Sequence, residues 1–140
     1  MVDPQAPLGV HSVLTEVNRH VAAWNPPHLS AILVQGGWTD MYRHVAHKGG
    51  IRDQQFRKLL CEWKLMQGNS VGSRVQDIFE VDQNHEFDDE YWELLRPKLE
   101  DVTCPTFVQC TWTDAGLHLP GSICGWRTIR SEVKYLEISG

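Results

Sequence analysis

Twice in this chain a short apolar or β-rich run leads, within a few residues, into the triplet Trp-Thr-Asp, at 38–40 and again at 112–114. Ala31-Ile32-Leu33-Val34 precedes the first copy, and Pro105-Thr106-Phe107-Val108-Gln109-Cys110-Thr111 precedes the second. A wholly apolar run of four between breakers is short for a helix. It suits a strand buried on both faces, as in a parallel sheet. A third strand is expected from the alternation in Val133-Lys134-Tyr135-Leu136-Glu137-Ile138.

Helical spacing fills the gaps. Val10, Val13, Leu14, Val17 and Val21 predict a buried stripe on a helix from Val10 to Trp24, stopped by Asn25-Pro26-Pro27. The first ten residues are Pro-rich and read as irregular, and Ser12 reads as a helix residue. Leu119, Ile123, Trp126 and Ile129 predict an amphipathic segment after the second triplet. Residues 41–99 read as helical with no clear strand. Phe56, Leu59, Leu60, Trp63 and Met66 trace one helix face from near Arg52, a short helix lies within 76–89, and Asp88 or Asp89 caps another bearing Tyr91 and Trp92. Helix–strand–helices–strand–helix–strand is an α/β order, with a few-stranded, mainly parallel sheet. The expected division is a partial core over 1–40, a helical cap insertion over 41–99 and a partial core over 100–140.

The 140 residues match one domain or part of one. With 41% hydrophobic and 22% charged residues, the composition excludes a disordered acidic tail, a collagen-like repeat and a coiled coil. No run approaches the roughly 18 apolar residues of a membrane span, and the first residues carry no basic or apolar leader. The expected location is the cytoplasm, away from membranes. Lys and Arg (13) trail Asp and Glu (18), for a net charge of −5, so there is no basic patch for a nucleic-acid partner. Cys61, Cys104, Cys110 and Cys124 contain no C-x-x-C pair and are expected to be free, buried thiols.

Both Asp40 and Asp114 fall where an open α/β sheet binds its ligands, outside the carboxyl ends of strands. Each also suits a helix N-cap. His44 and His47 could share a helix face, but no third ligand of suitable type is near, so no metal is assigned. Gly49-Gly50 resembles a helix C-cap. With no dinucleotide or phosphate-loop fingerprint, no cofactor is expected. A nucleophile elbow needs glycines around its serine. The nearest segment, Gly9-Val10-His11-Ser12-Val13, has one glycine a place too far away and lacks the other. His118, four residues past Asp114, is in hydrogen-bonding range of it but reads as a solvated loop histidine.

Taken together, several blocks resemble the cocaine-esterase / X-Pro dipeptidyl-peptidase-like serine hydrolases, α/β-hydrolases with a helical cap. The blocks are Val21 to Ile32, Gly36-Gly37-Trp38-Thr39-Asp40-Met41-Tyr42-Arg43, Gly49-Gly50-Ile51, Tyr91-Trp92 and Cys104-Pro105-Thr106. They continue with Trp112-Thr113-Asp114, Leu117-His118-Leu119, Gly121 and Lys134-Tyr135-Leu136-Glu137-Ile138. The resemblance implies a partial α/β-hydrolase fold cut on both sides. It makes Asp114 the triad acid and puts the nucleophile, by spacing, at Ser12. Trp38, Asp40 and Trp112 become pocket residues, and Trp63 and Trp92 belong to a cap pocket. The family's histidine would follow Ile138-Ser139-Gly140.

The substrate expected from the resemblance is a small-molecule ester or a short peptide with an X-Pro-type acyl bond. Without a proper elbow and that histidine, the chain is expected to be inactive alone. Two alternatives stand beside this reading. One is a non-catalytic binding module using the aromatic pocket; the other is a rearranged triad of Ser12, Asp114 and either His85 or His118.

Overall fold

In the computed structural model, which describes residues 5–56, 58, 59 and 78–140, the first strand begins earlier than the sequence suggested. Ala6–His11 form β1, where an irregular start was expected, and helix α1 covers only Leu14–Ala23. Pro7 is compatible with a strand here because β1 is an edge, where a missing N–H breaks no central ladder. Next come β2 (Leu29–Gln35), a π-helical turn (Tyr42–Ala46), and the two-residue strands β3 (His47–Lys48) and β4 (Ile51–Arg52). Helices α2 (Ile78–Asn84) and α3 (Glu90–Leu94) and a 3-10 turn (Leu99–Asp101) lead to β5 (Thr106–Thr111). A second 3-10 turn (Trp112–Asp114), α4 (Leu119–Thr128) and β6 (Lys134–Ser139) complete the order.

The main sheet is four-stranded in the order β1-β2-β5-β6, and every pairing is parallel. This is the parallel α/β architecture expected, with one strand more than the sequence revealed. Ile32, Val34 and Val108 point to the face that α1, α4 and the Leu99–Asp101 turn cover. There they form the core with Ala22, Leu99, Val102 and Ile129.

Residues 41–99 depart from an all-helical reading. Strands β3 and β4 pair antiparallel, and Gly49 and Gly50 join them with φ of +62° and +82°. Positive φ at both central residues is the signature of a tight hairpin turn, which glycine enters without steric cost, so this pair turns a hairpin and does not end a helix. Asp89 caps α3 as anticipated, accepting from the Tyr91 N–H at 3.0 Å. Trp92, 2% exposed, sits among Tyr42, His47 and Tyr91 and donates to the His85 carbonyl. The helix expected from Arg52 to Met66, including Trp63, falls mostly outside the described residues, as does Cys61. Of the other thiols only Cys110 is buried; Cys104 is half-buried and Cys124 exposed, against the expectation of buried thiols.

Helix α1 reverses its expected orientation. Leu14 and Val17 of the apolar stripe are 56% and 58% exposed, whereas Thr15, Asn18, Arg19 and Ala22 are buried. The polar residues go inward because they have backbone partners there. Asn18 donates to the Leu8 and Leu33 carbonyls, and Arg19 donates to the Trp38 carbonyl at 2.5 Å. The loop after β2 is thereby clamped between α1 and α4.

That clamp leaves no room for side chains. A Cβ on Gly121 would stand 2.5 Å from the Trp38 Cα and 2.8 Å from the Gly37 carbonyl oxygen, both backbone atoms that cannot rotate aside. Gly121→Ala is therefore expected to lower stability by about 1–3 kcal/mol, the usual cost of overpacking, read as a lower urea midpoint. A surface control, Gly116→Ala, meets nothing within 4 Å and should leave the midpoint within about 0.5 kcal/mol of the parent.

Candidate active site

Ser12 lies at the junction of β1 and α1 and is not a helix residue: its φ is +58°. A non-glycine residue held in the left-handed region costs of order 1–3 kcal/mol and persists only where its surroundings over-determine it. Here they do. The Ser12 N–H donates to the Gln35 carbonyl at 3.0 Å, and its own carbonyl accepts from the N–H and the hydroxyl of Thr15. A strand-to-helix turn strained in this way projects its side chain from the carboxyl edge of the sheet, as the nucleophile elbow of an α/β-hydrolase does. The backbone thus makes the bend without the flanking glycines that the motif calls for.

The Ser12 Oγ is 3.3 Å from His118 Nε2. The other ring nitrogen, Nδ1, is in a short hydrogen bond with Asp114 Oδ2. Asp114 ends the 3-10 turn after β5, and His118 precedes the first turn of α4, one helical turn later in sequence. His118 is only 7% exposed, not the solvated loop residue that its position suggested. Serine, imidazole and carboxylate therefore form one hydrogen-bonded line. His85 is elsewhere, paired with Asp89 at 2.7 Å.

Trp38 and Asp40 arise from the first triplet but meet different neighbours. The Trp38 indole is stacked on His118, with centroids 5.7 Å apart and planes 6° from parallel. Its N–H donates to Glu16 Oε2 at 2.7 Å. Asp40 instead accepts from the Arg43 backbone and guanidinium and from Arg96 Nε, and both arginines also bind Asp88. Burial would raise the Asp40 carboxyl, but these hydrogen bonds outweigh it and hold the group below the usual aspartate range. Trp112 is 58% exposed. The tryptophans grouped by the sequence reading are dispersed among the described residues: Trp38 under His118, Trp92 in the insertion and Trp112 at the surface.

A cleft of about 280 Å³ opens at the carboxyl ends of the strands beside this line, bordered by His11, Gln35, Gly36, Gln109, Thr111 and Asp114. Gln35 donates to Gln109, which donates to Glu137, so two amides of the cleft wall on β2 and β5 run on to a carboxylate on β6. Cys110 also borders the cleft. Burial pushes its thiol up despite a hydrogen bond from Ser122, so less of it is thiolate than for an ordinary cysteine. Among the described residues no three His, Cys, Asp or Glu side chains gather as a metal site. No helix of the described residues is long and apolar enough to cross a membrane. Sequence reasoning offers Ser12, Asp114 and His118 only as an alternative, with His85 in competition, because nothing local shows that the turn into α4 brings the far nitrogen of His118 to Ser12.

No protein-family model matches the chain, and no curated protein matches it. Solved structures do. A CocE/NonD family hydrolase from Staphylococcus aureus is 30% identical and superposes on 99% of this chain with a TM-score of 0.92, over 25% of its own length. A second structure of a CocE/NonD hydrolase from that organism is 31% identical over 94% of this chain and 24% of its own, with a TM-score of 0.87. An acylaminoacyl peptidase of Pyrococcus horikoshii, 11% identical, shares the fold at a TM-score of 0.61 over 98% of this chain and 19% of its own. The chain spans about a quarter of the length of the CocE/NonD hydrolases it matches. Across that span its four parallel strands and covering helices are a partial α/β-hydrolase fold, and in fold and sequence it is similar to the CocE/NonD family hydrolases.

Proposed function

We propose that this chain carries the nucleophile, base and acid of a serine hydrolase that cleaves ester or X-Pro-type acyl bonds through an acyl-enzyme. The observation that supports it best is the strained Ser12, whose hydroxyl meets His118 while His118 meets Asp114. A serine hydroxyl is a weak nucleophile until a base takes its proton. His118 Nε2 accepts that proton as Ser12 Oγ bonds to the substrate carbonyl carbon. The same proton then passes to the leaving alcohol or amine as its bond to that carbon breaks. A water, deprotonated by His118, attacks the acyl-serine, and Ser12 regains its proton.

Asp114 fixes the tautomer and orientation of His118 and stabilises the transient imidazolium; it does not itself take the proton. The carbonyl oxygen develops negative charge next to the Val13 N–H at the start of α1, where the positive end of the helix favours an anion. The cleft bordered by His11, Gln35, Gln109 and Thr111 receives the remainder of a small-molecule ester or short peptide. Trp38, stacked on His118, and Asp40, tied into its arginine network, do not border that cleft, and Trp112 is exposed. The reaction as drawn uses no metal or cofactor.

A fluorophosphonate probe tests the reading directly. It should label the chain once, at Ser12, and Ser12→Ala should abolish labelling. His118→Ala and Asp114→Asn should each slow labelling by about 10³-fold or more, as losses within a triad do. No labelling of the folded parent would overturn the proposal and leave the non-catalytic binding module.

Strain supplies a second check. Ser12→Gly removes both the hydroxyl and the left-handed penalty, so it should abolish labelling while raising stability by about 1 kcal/mol. That opposition between stability and reactivity is measurable in one urea titration beside one labelling assay. Loss of stability in the glycine variant would show that the turn is unstrained.

A further inference from the structure

Glu16 and its partner indole lie outside the proton path drawn above, yet they are physically joined to it. Glu16, in the first turn of α1, accepts the Trp38 indole N–H at 2.7 Å. The Trp38 carbonyl accepts from Arg19, whose side chain is fully buried, so both the backbone and the ring of Trp38 are held from α1. At 3% exposure the indole has little freedom to turn. Its face lies flat on the His118 ring, with centroids 5.7 Å apart. The other neighbouring ring, His11, is tilted by 55° at 6.4 Å and offers no such face.

An indole face within about 6 Å of a cation stabilises it through the ring quadrupole. His118 becomes a cation when it receives the Ser12 proton. A carboxylate on the indole N–H adds electron density to that face and fixes the plane of the ring. We propose that Glu16, acting through Trp38, is a positioning residue for the base: it holds the indole flat against His118 and strengthens the imidazolium formed during acyl transfer. This rests on the acyl-transfer reading, in which His118 is the base.

The charge on Glu16 decides how strong that support is. Burial pushes its carboxyl up to about 7, a rise assisted by the nearby charge of Asp40 and opposed by the Trp38 hydrogen bond and Arg19. The charged groups acting on it are Arg19 on the same helix and Asp40 from the segment after β2; Arg19 in turn faces Cys124 and His44, and His118 meets the Trp38 ring and not the carboxyl. Above pH about 7 Glu16 is ionised and supports the imidazolium; below it the carboxyl is neutral and the support fades. Reactivity should therefore show a step near pH 7, falling as pH falls, superimposed on the protonation of the base itself.

The test combines the fluorophosphonate rate against pH with nuclear magnetic resonance of the His118 ring protons, which a stacked indole shifts upfield. In the parent the rate should drop about 3- to 10-fold through pH 7 beyond the base's own limb. Glu16→Gln keeps an acceptor for the indole but loses the charge, so it should remove that step and leave the upfield shift. Trp38→Phe loses the N–H and should reduce both the shift and the rate. An unchanged pH step in Glu16→Gln, or unchanged ring-proton shifts in Trp38→Phe, would overturn the proposal. If the parent fails to label, the function reading falls by itself; the ring-proton shifts in the folded parent and in Trp38→Phe still decide whether the indole is held against the imidazole.

Discussion

The buried guanidinium of Arg19 is the contact on which the arrangement of the site depends. An arginine with no exposed surface is costly to bury, and burial pulls this one down to about 10 despite Glu16 nearby. What it secures is the loop after β2, through a hydrogen bond to the Trp38 carbonyl. That loop can lie between α1 and α4 only because Gly37, Gly121 and Gly125 carry no side chains where it passes. Trp38 then lies under His118, and His118 lies between Asp114 and Ser12. A polar residue on the inner face of a helix here performs the task that an apolar stripe usually performs. Its effect is to place backbone atoms, which no apolar contact could orient.

This arrangement explains why the apolar pattern of α1 points to the wrong face. Periodicity predicts which residues share a face, but it assumes that the apolar face is the covered one. In α1 the covered face carries Thr15, Asn18 and Arg19 because each meets a carbonyl or a glycine there, and Leu14 and Val17 remain outside. Strand β1 was hidden for a related reason. Pro7 and Gly9 weaken its strand signal, and the parallel pairing with β2 that makes it a strand is a long-range contact invisible in the segment itself. By contrast β2, β5 and β6 are legible, since an apolar run between breakers, a β-rich run and a clean alternation each carry their own signal. The hairpin at Gly49-Gly50 lay in a stretch whose two-residue strands are too short to show alternation.

The twin triplets show how far local sequence reaches into a site. Trp38-Thr39-Asp40 and Trp112-Thr113-Asp114 are identical in composition and both follow strands, yet they take different roles. Asp40 is followed by the turn carrying Arg43 and faces Arg96, so two guanidinium groups take up its oxygens. Asp114 is followed by four residues that bring His118 back to it. The second difference could be read from sequence as an i, i+4 pair; the first could not, because Arg96 lies 56 residues away. Ser12 was placed by spacing alone, and its strain came from Gln35 and Thr15, partners that no motif around the serine names.

Strain and cover are distributed unevenly over the molecule. All three groups of the hydrogen-bonded line come from the carboxyl end of one short stretch of sheet, joined by contacts within the described residues. The apolar surface is less complete. The sheet face away from α1 and α4 presents Leu33, Val133 and Tyr135 at 37%, 48% and 64% exposure, along a trough of about 290 Å³, and Trp24 and Leu94 stand open beside α1. Parallel sheets ordinarily bury both faces. The line of Ser12, His118 and Asp114 is thus fixed by polar contacts at one edge, while Leu33, Val133 and Tyr135 on the far face stay exposed.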